Sequence, residues 1–179
     1  MKKTKINLGC GTKTFKDMIN VDFLKGKNVD VVHNLNEYPW PFKSYSVDYI
    51  YCDNVIEHVR DFNSAMKEIY RVLRKGGEIL IKVPYFSNPG AFNPDHRSFF
   101  NPDSFDVFCR NTELRMGLRQ EEFFMVSKRV TFITEYKKSI FLKIVYALPK
   151  LVYKISPKAY VWFFSYTFPA SEIHFVLRK

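Results

Sequence analysis

Two short runs, Val47 to Cys52 and Glu78 to Val83, bracket a stretch in which Phe62, Met66, Ile69 and Leu73 recur at helical spacing. Apolar residues three and four apart mark one face of a helix, and a helix between two buried strands is the crossover of a parallel βαβ unit. Asp61 is placed to cap the helix and Gly76-Gly77 to stop it. Such a unit needs more strands beside it to bury its faces.

Those strands are read at Lys5 to Leu8, Ile19 to Asp22 and Val29 to Val32, so five fall in the first half of the chain. The links between the first three are too short for full crossover helices and should be turns. Beyond Pro84 come an aromatic, proline-rich loop, a short helix near Pro102 to Cys109 and a long strand near Phe123 to Phe132. A basic, apolar helical segment from about Ser139 to Ser165, kinked at Pro149, and a closing strand at Glu172 to Leu177 complete the pattern. The expected fold is α/β: a Rossmann-like, mostly parallel sheet with shortened N-terminal crossover helices and a C-terminal helical insertion before the last strand. Residues 1–179 should form a single domain, with 134–170 as a basic, apolar lobe or lid.

Composition excludes several alternatives. Cys10, Cys52 and Cys109 are odd in number and lack C-x-x-C spacing, so neither a disulfide framework nor a zinc knuckle is expected, and no metal-ligand set is read. Met1 to Lys5 leads into Ile6-Asn7-Leu8-Gly9 rather than an apolar stretch, so a cytoplasmic protein is expected, peripheral to a membrane at most. The net charge of +10 is concentrated between Val126 and Tyr160, where eight basic residues accompany one acid, Glu135. That segment could cover an acceptor site, meet an anionic membrane surface or, least favoured because no RNA-binding motif appears, touch nucleic acid.

The chemical signals begin with Ile6-Asn7-Leu8-Gly9-Cys10-Gly11, a strand entering a Gly-x-Gly turn, with Asp22 ending the next strand. Such a turn lets backbone approach a ligand, and the acid can accept hydrogen bonds from a ribose diol. A dinucleotide site would add a third glycine and a helix N-terminus for the pyrophosphate. Gly9-Cys10-Gly11-Thr12-Lys13-Thr14 provides neither, which favours a cofactor without phosphate.

Two more stretches, Pro41-Phe42 through Val47-Asp48-Tyr49-Ile50-Tyr51-Cys52-Asp53-Asn54-Val55-Ile56-Glu57-His58-Val59, and Glu68-Ile69-Tyr70-Arg71-Val72-Leu73-Arg74-Lys75-Gly76-Gly77, complete a pattern. Together with Leu8-Gly9-Cys10-Gly11 the chain resembles the class I S-adenosylmethionine-dependent methyltransferases, in particular the small methyltransferase-domain group. The resemblance covers about residues 5–86 and implies S-adenosyl-L-methionine as cofactor. It assigns Gly9, Cys10 and Gly11 to the cofactor turn, Asp22 to the ribose, Asn34 and Leu35 to the adenine, and Asp53 and Asn54 to the methionine end. Asn34 stands where the group usually has Asp and offers a neutral, weaker acceptor. Tyr38, Trp40 and Phe42 could line the adenine pocket, with core packing expected for at least one.

The loop from Val83 to Phe100 leaves the carboxyl end of the fifth strand, the edge at which open α/β sheets place their ligands. It carries Asp95-His96-Arg97. His96 is the candidate base and Asp95 its catalytic partner; Arg97, Tyr85 and His58 are candidate acceptor contacts, His58 also as a structural cap. The absence of an Asn-Pro-Pro-Tyr-like or Pro-Cys motif after the fourth strand sets aside the amino-methylating nucleic-acid enzymes and covalent pyrimidine methylation. A small-molecule or saccharide acceptor is expected, lipid-linked if the apolar, basic segment serves it. The alternatives are a non-catalytic adenosylmethionine-binding module and a nucleotide-binding α/β enzyme of another class. Oligomeric state is not legible.

Overall fold

The computed structural model describes residues 3–112 and 122–179. Seven strands, β1 (Lys5–Leu8), β2 (Ile19–Asp22), β3 (Val31–Val32), β4 (Val47–Asp53), β5 (Leu73–Pro84), β6 (Phe124–Phe132) and β7 (Ala170–Arg178), form one sheet in the order β3-β2-β1-β4-β5-β7-β6. Neighbours from β3 to β5 pair in parallel, and β7 runs antiparallel to both β5 and β6. The expected mostly parallel α/β sheet is therefore present. Ile6, Leu8, Val21, Ile50, Cys52, Ile79, Ile81 and Val83 are buried along its central strands.

Helix α1 (Phe62–Val72) joins β4 to β5. Asp61 caps it, accepting a hydrogen bond from the Ser64 amide at 3.0 Å, and Ala65, Met66, Ile69 and Val72 bury its inner face. Gly76-Gly77 does not stop this helix. The chain becomes extended at Leu73, which pairs with Val47, and the glycines lie inside β5 beside the register shift that follows. There Gly76 takes φ +77° and donates to the Lys179 carbonyl at 2.8 Å, so pairing with the chain's last residues sets the glycines' place.

The first two crossovers are turns, as their lengths require. Buried asparagines hold the first in place of a helix. Asn7 Nδ2 donates to the Lys13 carbonyl at 2.7 Å, while Asn20 accepts from the Phe15 amide at 2.9 Å and donates to the Phe15 carbonyl at 3.0 Å. These side chains satisfy backbone groups that a helix would have satisfied internally.

The expected helix near Pro102 to Cys109 reduces to a 3-10 turn at Asp106–Phe108, because Phe105 and Phe108 turn inward to pack with Phe62. Between β6 and β7 lie α2 (Ile133–Tyr136), α3 (Ile140–Val145), α4 (Ala147–Ile155) and α5 (Pro157–Phe163). The break expected at Pro149 falls at Tyr146, since a proline ring collides with the carbonyl four residues earlier. Tyr160 anchors the lobe, fully buried with its hydroxyl donating to the Phe168 carbonyl at 2.7 Å. The outer surface is apolar: Ile140, Phe141, Ile144, Leu148, Leu151, Ile155, Trp162, Phe163 and Tyr166 are all exposed. No helix among the described residues is long and apolar enough to cross a membrane.

Candidate active site

β1 ends in a turn that only glycine fits at its first position. Gly9 adopts φ +59°, and a Cβ there would lie 2.3 Å from Val55 Cγ2, so the turn runs flush against the segment after β4. Gly11 is also left-handed, at φ +48°. Asp22 ties the turn to β2: one carboxylate oxygen accepts from the Gly11 amide at 2.8 Å and the other from the Leu24 amide at 3.1 Å. Each oxygen keeps lone-pair capacity for a further donor, as a vicinal diol would require.

A cleft of about 750 Å³ opens over the carboxyl ends of β1, β2 and β4, at the point where the strand order reverses direction. Gly9, Asp22, Asn34, Leu35 and Asn54 line it, as do His58, Asp95 and Arg97 from the segments after β4 and β5. Eight residues separated widely in sequence thus meet at one cavity. Phe23, Val55 and Arg60 also line it and were not read from the sequence. Phe23 stands 66% exposed directly after Asp22, a flat apolar surface at which an adenine could stack. A large aromatic next to the strand-end acid was the available signal.

The residues fit a phosphate-free nucleoside cofactor. Only turns follow Gly11, so no helix N-terminus faces the cleft there, while Asp22 offers a diol acceptor and Asn34 an amide. The Asn34 side-chain oxygen already accepts from the Asn36 amide at 3.1 Å, which fixes its direction.

The Cys10 side chain is buried, so Cys10 takes part in the turn through its backbone alone. Other sequence assignments need correction. Gly11 serves the site through Asp22 rather than by lining the cleft. Asp53 faces Lys13 at 2.5 Å and the Tyr51 hydroxyl at 2.6 Å. Burial alone would raise its carboxyl, but these donors prevail and hold it below the usual range. Its charge is thus largely matched within the protein. Tyr85 is fully buried against Phe86 and Tyr160, so its phenol does not reach an acceptor in the cleft. Trp40 is buried and donates to the Leu35 carbonyl at 3.2 Å, Tyr38 donates to the Asp61 carbonyl and Phe42 packs on the core, so none of these aromatics lines the cavity.

His96 lies beside the cleft, its ring edge-on to that of His58 with centroids 4.6 Å apart. Its orientation comes from the Ala91 carbonyl, 2.9 Å from Nδ1, and not from the Asp95 carboxylate. The backbone of the loop is pinned to the turn after β4 by the Arg97 amide, which donates to the Glu57 carbonyl at 2.7 Å. Glu57 is itself 1% exposed, and among the described residues no other residue hydrogen-bonds its carboxylate oxygens. Burial, partly opposed by its own backbone amide, pushes its carboxyl up to about 7.

The chain is similar to known proteins over part of its sequence and in its fold. Residues 10–81 match the methyltransferase-domain family model. A Mycolicibacterium smegmatis protein described as an S-adenosylmethionine-dependent methyltransferase is 40% identical over 75 residues, 41% of this chain and 27% of that protein. The chain therefore spans about a quarter of the length of that curated relative. Among solved structures, an S-adenosylmethionine-dependent methyltransferase from Archaeoglobus fulgidus superposes with a TM-score of 0.60 at 14% identity, covering 99% of this chain and 86% of that one. A Haemonchus contortus phosphoethanolamine N-methyltransferase, solved with phosphomonomethylethanolamine and S-adenosylhomocysteine, gives 0.58 at 15% identity, covering 100% and 49%. At these identities the superpositions establish a shared fold.

Proposed function

We propose that this chain, whose residues 10–81 match the methyltransferase-domain family model, is a class I S-adenosylmethionine-dependent methyltransferase that methylates a small-molecule or saccharide acceptor carried on a lipid at an anionic membrane surface. The cofactor supplies an electrophilic methyl on a sulfonium. Asp22 would hold the ribose diol, Phe23 and Leu35 would flank the adenine, and Gly9 would let the backbone approach. His58, His96 and Arg97 orient the acceptor at the other wall of the cleft.

The observation that carries the lipid-linked reading is the outward face of α3 to α5. Ile140, Phe141, Ile144, Ile155, Trp162 and Phe163 are each at least 69% exposed, and Lys137, Lys138, Lys143 and Lys154 are exposed among them. Apolar and basic groups on one surface match the acyl and headgroup layers of an anionic bilayer, where each lysine contributes about 1 kcal/mol near the surface. This lobe adjoins the acceptor loop: Ser87 donates to the Ser165 carbonyl at 2.6 Å, and Phe86 packs edge-on to Tyr166. The loop leaves the carboxyl end of β5 and the lobe leaves the carboxyl end of β6, the same end of the sheet as the cleft.

Vesicles of mixed phosphatidylglycerol and phosphatidylcholine should bind the protein and blue-shift the emission of Trp162. Trp162→Asp with Phe163→Asp should weaken this at least about 10-fold, given roughly 1.5 kcal/mol or more for each large apolar side chain withheld from the bilayer. Cofactor affinity should be unaffected. With methyl-labelled S-adenosylmethionine and a total lipid extract, label should enter the organic phase. Failure to bind anionic vesicles, or label confined to water-soluble products, would remove the lipid-linked acceptor.

A further inference from the structure

The acceptor wall of the cleft contains a group whose arrangement the reading above leaves unexplained. Glu57 and His58 close the 3-10 turn Ile56–His58 after β4, and His96 arrives from the loop after β5. Two amides of that loop, those of Arg97 and Ser98, donate to the Glu57 carbonyl at 2.7 and 3.3 Å and hold the two segments together. One potential ligand atom from each of Glu57, His58 and His96 lies within 4.8 Å of the others.

The imidazoles are set as metal-binding histidines are set. His96 Nδ1 lies 2.9 Å from the Ala91 carbonyl, and His58 Nδ1 lies 3.3 Å from the Asp95 carbonyl. A carbonyl can only accept, so each contact requires the proton on Nδ1 and leaves the Nε2 lone pair available. Holding the second nitrogen on a backbone carbonyl fixes tautomer and ring direction, the usual outer-shell arrangement around a bound metal. Carboxylate burial supplies an independent observation. Glu57 is 1% exposed, and among the described residues no other residue hydrogen-bonds its carboxylate oxygens, a costly state unless a cation or a proton compensates it.

We propose that Glu57, His58 and His96 bind one divalent transition metal ion at the acceptor end of the cleft. Two imidazoles and one carboxylate suit zinc, cobalt, manganese or ferrous iron; magnesium prefers an all-oxygen shell with several waters. Metal–ligand bonds of about 2.0 to 2.2 Å require these ligand atoms to close by roughly an ångström, within reach of side-chain rotation. With three protein ligands, positions remain for an acceptor oxygen on the side where His58, Asp95 and Arg97 line the cavity. This last role rests on the methyltransferase reading; the metal site does not. In that role a bound acceptor hydroxyl would become more acidic and would lose its proton to water. An oxygen lone pair then forms the bond to the methyl carbon as the carbon–sulfur bond breaks, and that electron pair returns to sulfur to leave a neutral thioether.

The test uses the full chain, stripped with a chelator and titrated with Co²⁺ and with Zn²⁺. One equivalent should bind at micromolar affinity or tighter, and Co²⁺ should show the visible bands of a low-coordinate site with imidazole ligands. Glu57→Gln and His96→Ala should each weaken binding at least about 100-fold, beyond the 10- to 100-fold typical of losing an outer-shell partner. His33→Ala and His174→Ala, which remove the other two of the four histidines, should leave binding unchanged. Circular dichroism of every variant reports whether the fold is kept, and S-adenosylhomocysteine affinity of the wild type is measured beside it. If that ligand fails to bind the wild type while Co²⁺ binds, the cofactor reading falls and the metal site stands. Absence of stoichiometric Co²⁺ and Zn²⁺ binding, or binding unaffected in folded Glu57→Gln and His96→Ala, overturns the site.

Discussion

Gly9→Ala should cost about 2 to 5 kcal/mol of stability and remove measurable cofactor binding. Two terms combine. A residue with a Cβ in the left-handed region costs about 1 to 2 kcal/mol, and overpacking adds about 1 to 3. The added methyl would meet Val55 Cγ2 at 2.3 Å, Cγ1 at 2.6 Å and Cβ at 3.0 Å. Because Cβ itself is crowded, no valine rotamer relieves the contact, and the backbone after β4 must shift. That shift displaces Val55 and Asn54, both on the cleft wall. Val55→Ala in the same chain should restore part of the stability by removing the two γ-carbon contacts, while the approach to Cβ and the strain at φ +59° remain. Urea unfolding of the two variants checks the stability, and calorimetry with S-adenosylhomocysteine checks the site. Wild-type stability in Gly9→Ala would show that the turn is not packed as described.

Glu68→Ala should cost about 2 to 3 kcal/mol, below the roughly 3 to 5 of a fully buried charge pair because Arg71 is partly exposed. The Glu68 carboxylate accepts from the Trp40 amide at 2.7 Å and from Arg71 Nε and Nη2, each at 2.7 Å. Arg71 in turn donates to the carbonyls of Phe42 and Trp40 at 2.8 and 3.1 Å. This network clamps the segment before β4 onto α1, and through the Trp40 ring it holds Leu35 at the cleft. Removing the carboxylate strands the guanidinium and an amide together. Glu68→Gln keeps an acceptor for the amide and should lose about half as much. Burial alone would raise the Glu68 carboxyl, but the Arg71 and Trp40 hydrogen bonds outweigh it and hold it below the ordinary value. With the folded value depressed, this contribution is present above the unfolded carboxyl value of about 4.3 and is lost as pH falls through the folded one. Urea unfolding at pH 7 and pH 4 should therefore show a smaller difference between wild type and Glu68→Ala at the lower pH.

What the sequence revealed was what local pattern determines. β1, β2 and the body of β4 and β5 appear where apolar runs placed them, and Asp61 caps α1 as its position suggested. Where pairing overrides local preference, the reading failed. Leu73 leaves the helix because Val47 offers it a strand partner, so glycines with the signature of a helix stop became part of β5. β3 shrinks to Val31–Val32 at its start, where the Val29 amide turns back to the Gly26 carbonyl and the Asp30 side chain takes the Asn20 amide. For the site, backbone-defined positions were legible: a Gly-x-Gly turn and a strand-end acid can be read along one stretch of chain. Contacts between distant segments were not. Tyr85 looked available in an aromatic loop, but Tyr160 from the far side of the lobe covers it. The Glu57 carboxylate and the two imidazoles share no spacing signature because they come from two connections brought together by backbone hydrogen bonds.

The central claim is that the cleft beneath Gly9 and Asp22 holds an adenosyl cofactor through its ribose. Calorimetry with S-adenosylhomocysteine on wild type and Asp22→Ala tests it most directly, with circular dichroism to establish that the variant is folded. The account predicts micromolar binding to the wild type and a loss of about 1.5 to 3 kcal/mol, roughly 10- to 150-fold, in the variant, the scale of hydrogen bonds to a charged group. No binding to the wild type, or full affinity in folded Asp22→Ala, would contradict it.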